Sequence, residues 1–223
     1  MLKEMIAVWK QQAFMEKVVE EFSQMLRDDA FIFSNAWGVL RGQLDINSVK
    51  QPIHDKDKGV NRQEQEVRRR LLEHLSINPG QDVSGCLILM SLVKDAERIG
   101  DYSKNIFDLA EVLKGHAKEM KYFERLSSIQ VKLEKHLNQL ADAFPAGNEQ
   151  LAKELLADYA SLKEECSQVL NDLFLDELPT REAVSTALLS RFLKRINSHT
   201  SNVASGMVYP IDKIDFVRGG ISE

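Results

Sequence analysis

Two proline breaks divide the chain into halves of the same plan. Asn78-Pro79 and Leu178-Pro179 stand roughly 100 residues apart, and each opens the third of three long segments whose apolar residues recur every three or four positions. Proline inside a helix removes a backbone hydrogen bond and clashes with the preceding turn, so each break marks a boundary. In the first half the spacing predicts a helix from Leu2 to about Arg27, with Val8, Phe14, Val18, Phe22 and Leu26 on one face. Asp28-Asp29 reads as an interruption, with Ala30 to Leu40 either a continuation or a separate short helix. Asp45 to Pro52 reads as a loop, Asp55 to Ser76 as the second helix, and Gln81 to His116 as the third. The second half predicts helices over Tyr122 to Ala143, Glu149 to Phe174, and Thr180 to about Tyr209, with Phe144-Pro145-Ala146-Gly147 as a turn and Thr180 as an N-cap. A duplicated three-helix bundle leaves this pattern. The expected fold is all-α, two tandem three-helix bundles over residues 1–117 and 118–210, followed by a loose tail at 211–223.

Composition narrows the function classes. The chain has 223 residues, 43% hydrophobic and 28% charged, the balance of a globular protein. Twenty-nine Lys plus Arg against 34 Asp plus Glu give a net charge of −5, so no global positive field exists to hold nucleic acid or an anionic membrane. The longest purely apolar run, Cys86 to Met90, is far short of the ~20 residues a membrane helix needs. Cys86 and Cys166 have no metal-ligand spacing and read as small buried hydrophobes. With no signal peptide at the N-terminus, a cytoplasmic location is expected.

Enzyme signatures are sparse. Gly80-Gln-Asp-Val-Ser-Gly85 has the glycine spacing of a phosphate loop, but Cys86 stands where the lysine belongs. No His-Glu-x-x-His, Gly-x-Ser-x-Gly or Glu-x-x-His occurs. What remains is Asp95-Ala-Glu-Arg-Ile-Gly-Asp101-Tyr-Ser-Lys-Asn105. On a helix, Leu92, Ala96, Ile99, Ile106, Ala110 and Leu113 share one arc, while Glu97, Asp101, Asn105 and Asp108 face away from it. Glu97 and Asp101, four apart, stack their carboxylates and supply part of a cation shell. Asp57, Asn61 and Glu64 lie on one face of the preceding helix and offer further oxygens. By spacing alone, a solvated, salt-bridged helix face accounts for such residues better, since Glu97 and Asp101 point away from the apolar arc. The five histidines lack ligand-type partners, Arg68-Arg69-Arg70 reads as a solvated face, and Met25 and Met90 as core filling.

The run from Asp95 to Ile106 closely resembles the Asp/Glu-Leu-Glu-Arg-Ile-Gly-Asp signature of the PhoU family of phosphate-uptake regulators. Asp57 to Val67 resembles that family's second-helix pattern, and Arg191 to Asn202 looks like a degraded second copy. The resemblance implies pseudo-twofold three-helix bundles whose outward Glu/Asp-x-x-x-Asp pairs bind metal. It places a divalent or ferric ion on Glu97, Asp101, Asp57, Asn61 and Glu64. In the second copy Lys194 replaces the Glu and Ser198 the Asp, while Arg195, Ile196 and Asn202 persist, so the chain as a whole is expected to keep one metal site, in the first repeat, or none. A further reading has Lys194 neutralise nearby acids in a salt bridge, although Lys163 and Cys166 of the partner helix offer none. Arg98 and Arg195 occupy matching places and are expected to pair with an acid on a neighbouring helix or to face a partner.

By the same resemblance the chain is a non-enzymatic negative regulator, an adaptor between the ATPase of the phosphate ABC transporter and a phosphate-sensing histidine kinase, and a homodimer. Two alternatives stand beside it: a PhoU-like subunit of a sodium-phosphate or potassium transporter, and a metal-dependent or metal-storing helical bundle. The missing Glu-x-x-His and general base argue against the last.

Overall fold

Apolar stripes at helical spacing force every long segment to find a partner face, and among the described residues the result is six long helices that share one core. The structure, a computed structural model, describes Ile6 and residues 13–214. Helix α1 spans Ala13–Leu40, α2 Ile46–Ile77 and α3 Val83–Leu113; α4 spans Phe123–Ala146, α5 Glu149–Phe174 and α6 Thr180–Val208. Short 3-10 turns cover His116–Glu119 and Ile211–Lys213. The predicted start of the first helix, with Val8 and the side chain of Phe14, and the end of the tail lie outside the described residues.

Several predicted boundaries change for local reasons. Asp28-Asp29 does not interrupt α1, because Asp is only a modest helix former and not a breaker. Asp28 is held by Lys56 at 2.6 Å and Gln24 at 2.8 Å, and Asp29 continues the inward stripe of Phe22, Leu26 and Phe33. The segment expected as a loop from Asp45 is already helix from Ile46, since the Asp45 carboxylate accepts from the Asn47 amide at 3.1 Å and caps it. Pro52 is tolerated in the second turn on the exposed side, where the carbonyl it leaves unpaired, that of Ser48, meets water. Pro145 likewise lies inside the last turn of α4, which closes at Gly147 with φ +60°. The N-cap position of α6 is Pro179, with Thr180 inside the helix. Helix α3 stops at Leu113 because Lys114 and Gly115 turn left-handed, φ +50° and +85°.

Helix α1 packs on α2, α3 and α4; α6 packs on α3, α4 and α5. Each half is therefore a trio, and the trios meet through the α1/α4 and α3/α6 pairs. Phe22 against Phe144 (4.4 Å between ring centroids) and Trp37 stacked on Phe123 (5.9 Å) pin the two ends of the first pair. In the second pair the contacts are exchanged by a pseudo-twofold. Asp95 meets His199 and Tyr102 meets Phe192, positions that swap when the motifs of the two halves are superposed. Tyr102 stacks on His199 at 5.8 Å, an axis contact. The predicted core arc of α3 is fully confirmed, Leu92, Ala96, Ile99, Ile106, Ala110 and Leu113 all being buried, as are Met25, Cys86 and Cys166. Met90 is half-buried against the same core.

Candidate functional site

The groove between α2 and α3 gathers the acidic residues that the sequence placed on outward faces. Both helices are amphipathic, so once their apolar stripes enter the core the polar flanks are left beside each other. Asp57, Asn61 and Glu64 on α2, and Glu97, Asp101 and Asp108 on α3, are all half-buried along this seam. Arg98 occupies the inter-turn position on α3: its Nε lies 3.3 Å from Glu97 and its Nη1 2.5 Å from Asp101. The expectation that Arg98 reaches a neighbouring helix is thereby corrected; a residue between i and i+4 acids on one face meets them first. Glu64 is held by Arg68 at 2.8 Å and Asp108 by Lys104 at 2.8 Å.

Crowded negative charge sets the protonation of the groove. Burial, then the charges of Asp101 and Glu64, push the Glu97 carboxyl up to about 7 despite Arg98. Burial also raises Asp57, with Lys104 opposing it and Asp101 adding to it.

Beneath the seam lies a residue that spacing alone had assigned to a helix break. Asp29 of α1 is fully buried, and neither of its oxygens has a hydrogen-bond partner. Burial holds its carboxyl well above the ordinary range, and Asp28, Glu97, Asp57 and Asp101 add to the rise. It reaches the groove floor because position 100 is glycine: a Cβ there would lie 2.7 Å from Asp29 Oδ1. The available signal was an acid at a core position of the 22, 26, 29, 33 stripe.

Asp95, the first residue of the signature, points the other way. It is completely buried and accepts from His199 Nδ1 at 2.7 Å and Asn202 Nδ2 at 2.9 Å, joining the two trios. In the second half Lys194 donates to Ser167 Oγ at 2.8 Å and not to a carboxylate, which corrects the salt-bridge expectation. Arg195 donates to the Tyr102 hydroxyl at 3.2 Å and lies over its ring. The histidines are accommodated within the fold: His74 lies 3.3 Å from Asp82, His136 3.3 Å from Asp158, and His54 edges onto Phe107.

The donors of the acidic groove are all oxygen, the chemistry of a hard cation. Among the described residues no three His, Cys, Asp or Glu side chains converge closely enough to hold a metal ion as they stand. Arg98 occupies Glu97 and Asp101, so a cation there requires its guanidinium to swing outward. The unsatisfied Asp29 and the raised Glu97 and Asp57 are what an added positive charge would relieve.

Comparison with known proteins follows the same lines. Residues 22–110 match the family model described as PhoU domain, a span that contains the whole α2/α3 groove. The fold is similar to the crystal structure of PhoU from Pseudomonas aeruginosa, with a TM-score of 0.78 and 21% identity over 88% of this chain and 96% of that one. It is also similar to the phosphate transport system regulatory protein PhoU from Streptococcus pneumoniae, with a TM-score of 0.71 and 18% identity over 88% and 95%. Among curated proteins none matches the chain. No helix among the described residues is long and apolar enough to cross a membrane.

Proposed function

We propose that the chain, whose residues 22–110 match the PhoU domain model and whose fold is similar to two PhoU structures, is a non-enzymatic negative regulator of phosphate uptake and phosphate-responsive signalling. It acts in the cytoplasm as a dimeric adaptor between the ATPase of a phosphate ABC transporter and a sensor histidine kinase. The observation that carries this reading is the acidic α2/α3 groove, which lies wholly inside the matched domain and presents the signature residues Glu97 and Asp101 on an outward face. A rigid bundle of this kind regulates by differential binding: the state of a partner that fits the face better becomes more populated.

Asp57, Asn61, Glu64, Glu97 and Asp101 would hold a divalent or ferric ion once Arg98 releases the last two. The ion supplies positive charge where the fold has accumulated negative charge. Asp29 lies below these residues and keeps the groove floor polar without reaching solvent. The Glu97→Ala/Asp101→Ala variant should lose manganese or ferric binding while the helical circular-dichroism signal stays nearly unchanged. Unchanged affinity would remove the site assignment. Pull-downs with the purified transporter ATPase and sensor kinase test the adaptor role, and failure to capture either would sink it. The loss of the acidic pair at Lys194 and Ser198 favours one alternative, a PhoU-like subunit of a sodium-phosphate or potassium transporter, which the same pull-down with those transporters distinguishes.

A further inference from the structure

The groove that mirrors the acidic one has the opposite charge. Superposing the halves puts Lys194 in the place of Glu97 and Ser198 in that of Asp101. The pseudo-twofold relates antiparallel neighbours, α3 and α6, so it runs perpendicular to their plane and both grooves open on the same side of the molecule. In the second groove Lys163 and Ser167 stand one turn apart on α5. Arg191, Lys194 and Ser198 recur at three- and four-residue steps on α6. Lys194 Nζ donates to Ser167 Oγ at 2.8 Å. Ser167 Oγ donates to the Lys163 carbonyl at 2.9 Å, and Ser198 Oγ to the Lys194 carbonyl at 3.0 Å.

These cations lack counter-ions. Among the described residues Lys163, Arg191 and Lys194 form no ion pair; the Lys163 ammonium lies over the Tyr159 ring at 5.7 Å, and of the nearby acids of α5 Glu165 and Asp172 are paired elsewhere. Glu165 binds Lys132 at 2.8 Å, Asp172 binds Arg125, and Glu164 accepts from Gln168 at 3.5 Å. Lys194 is half-buried, and a hydroxyl is a poor substitute for the carboxylate that usually accompanies an ammonium removed from water. Three like charges along one seam also repel one another. An anion relieves both costs, and the ammonium of Lys194 keeps two protons free to donate after serving Ser167.

We propose that the α5/α6 groove binds a phosphoryl-type oxyanion, with Lys163, Arg191 and Lys194 as its cations and the Ser167 hydroxyl as a neutral donor. The ammonium groups act as point charges on the anion, and the Arg191 guanidinium at the rim suits two oxygens at once. The Ser167 hydroxyl turns its proton from the Lys163 carbonyl to the ligand and still accepts from Lys194. Free inorganic phosphate and the headgroup of an anionic phospholipid present the same oxygens. The inference goes beyond the regulatory reading and does not depend on it, because it is tested by direct binding to the purified chain.

The experiment titrates the full chain at low salt with inorganic phosphate, by calorimetry, and separately with phosphatidylglycerol vesicles against phosphatidylcholine vesicles, by co-sedimentation. Lys163→Ala/Lys194→Ala should weaken binding at least tenfold. Lys194→Arg should retain it, and Glu97→Ala/Asp101→Ala should leave it intact. Phosphate binding with that pattern identifies the free ion as the ligand; vesicle binding alone with that pattern identifies the headgroup. Absence of binding to both, or a loss of affinity smaller than tenfold in the double lysine variant with its helical signal preserved, overturns the proposal.

Discussion

Glu97→Gln removes an ionisation that the fold opposes. The folded carboxyl titrates near 7 instead of 4.5, chiefly through burial and then through Asp101 and Glu64. Between those values the folded chain keeps a proton that the unfolded chain has released. The stability associated with protonated Glu97 is therefore whole below about pH 4.5 and is lost as the pH rises through 7. A rise from 4.5 to about 7 is worth about 3 kcal/mol at about 1.4 kcal/mol per pH unit. Solvent at a side chain that is 13% exposed screens this to about 1–2 kcal/mol. Gln keeps the size and the hydrogen-bonding capacity and discards the charge. Urea unfolding followed by helical circular dichroism, in chelator at half-unit steps from pH 5 to 8, should show the variant gaining about 1–2 kcal/mol on the wild type toward pH 8. Asp29 and Asp57 shift in the same direction but are present in both proteins, so the difference isolates Glu97. A stability difference that stays flat across this range would refute the argument that crowded carboxylates set the properties of the groove.

Three further outcomes follow from the packing. A Cβ on Gly206 would stand 2.7–3.1 Å from the Leu92 isopropyl group, so Gly206→Ala should cost about 1–2 kcal/mol of urea stability despite its helix-propensity gain of about 1 kcal/mol; the penalty should vanish in a Leu92→Ala background. Asp95→Ala leaves His199 and Asn202 without their shared acceptor and should lower stability by about 2–4 kcal/mol, measured by chemical denaturation; a loss under about 0.5 kcal/mol would dismiss this pairing as a link between the halves. Burial pushes the Cys86 thiol up to about 11 and the Cys166 thiol up to about 12, so iodoacetamide at pH 8 should label neither in the native chain and both in urea, as mass spectrometry would read.

Helix type, core faces and the tandem plan were legible without coordinates, because each follows from spacing along one strand of sequence. The arc from Leu92 to Leu113 and the outward set from Glu97 to Asp108 are consequences of 100° per residue, and any helix built from those residues has them. The same local rules also mark where a cap outweighs a loop signal, as at Asp45, although proline at position 52 masked it. Other features depend on which helix lies opposite, and periodicity carries no such information. That Asp29 of α1 reaches beneath Gly100 of α3, that Asp95 turns from the acidic stripe to His199, and that Lys194 meets Ser167 are decided by helix-to-helix register. Periodicity along the chain is enough to specify the amphipathic helices and the faces they bury. Which charges become neighbours follows from the packed fold, because helices distant in the chain meet through side-chain packing and not through the backbone geometry that sets their period.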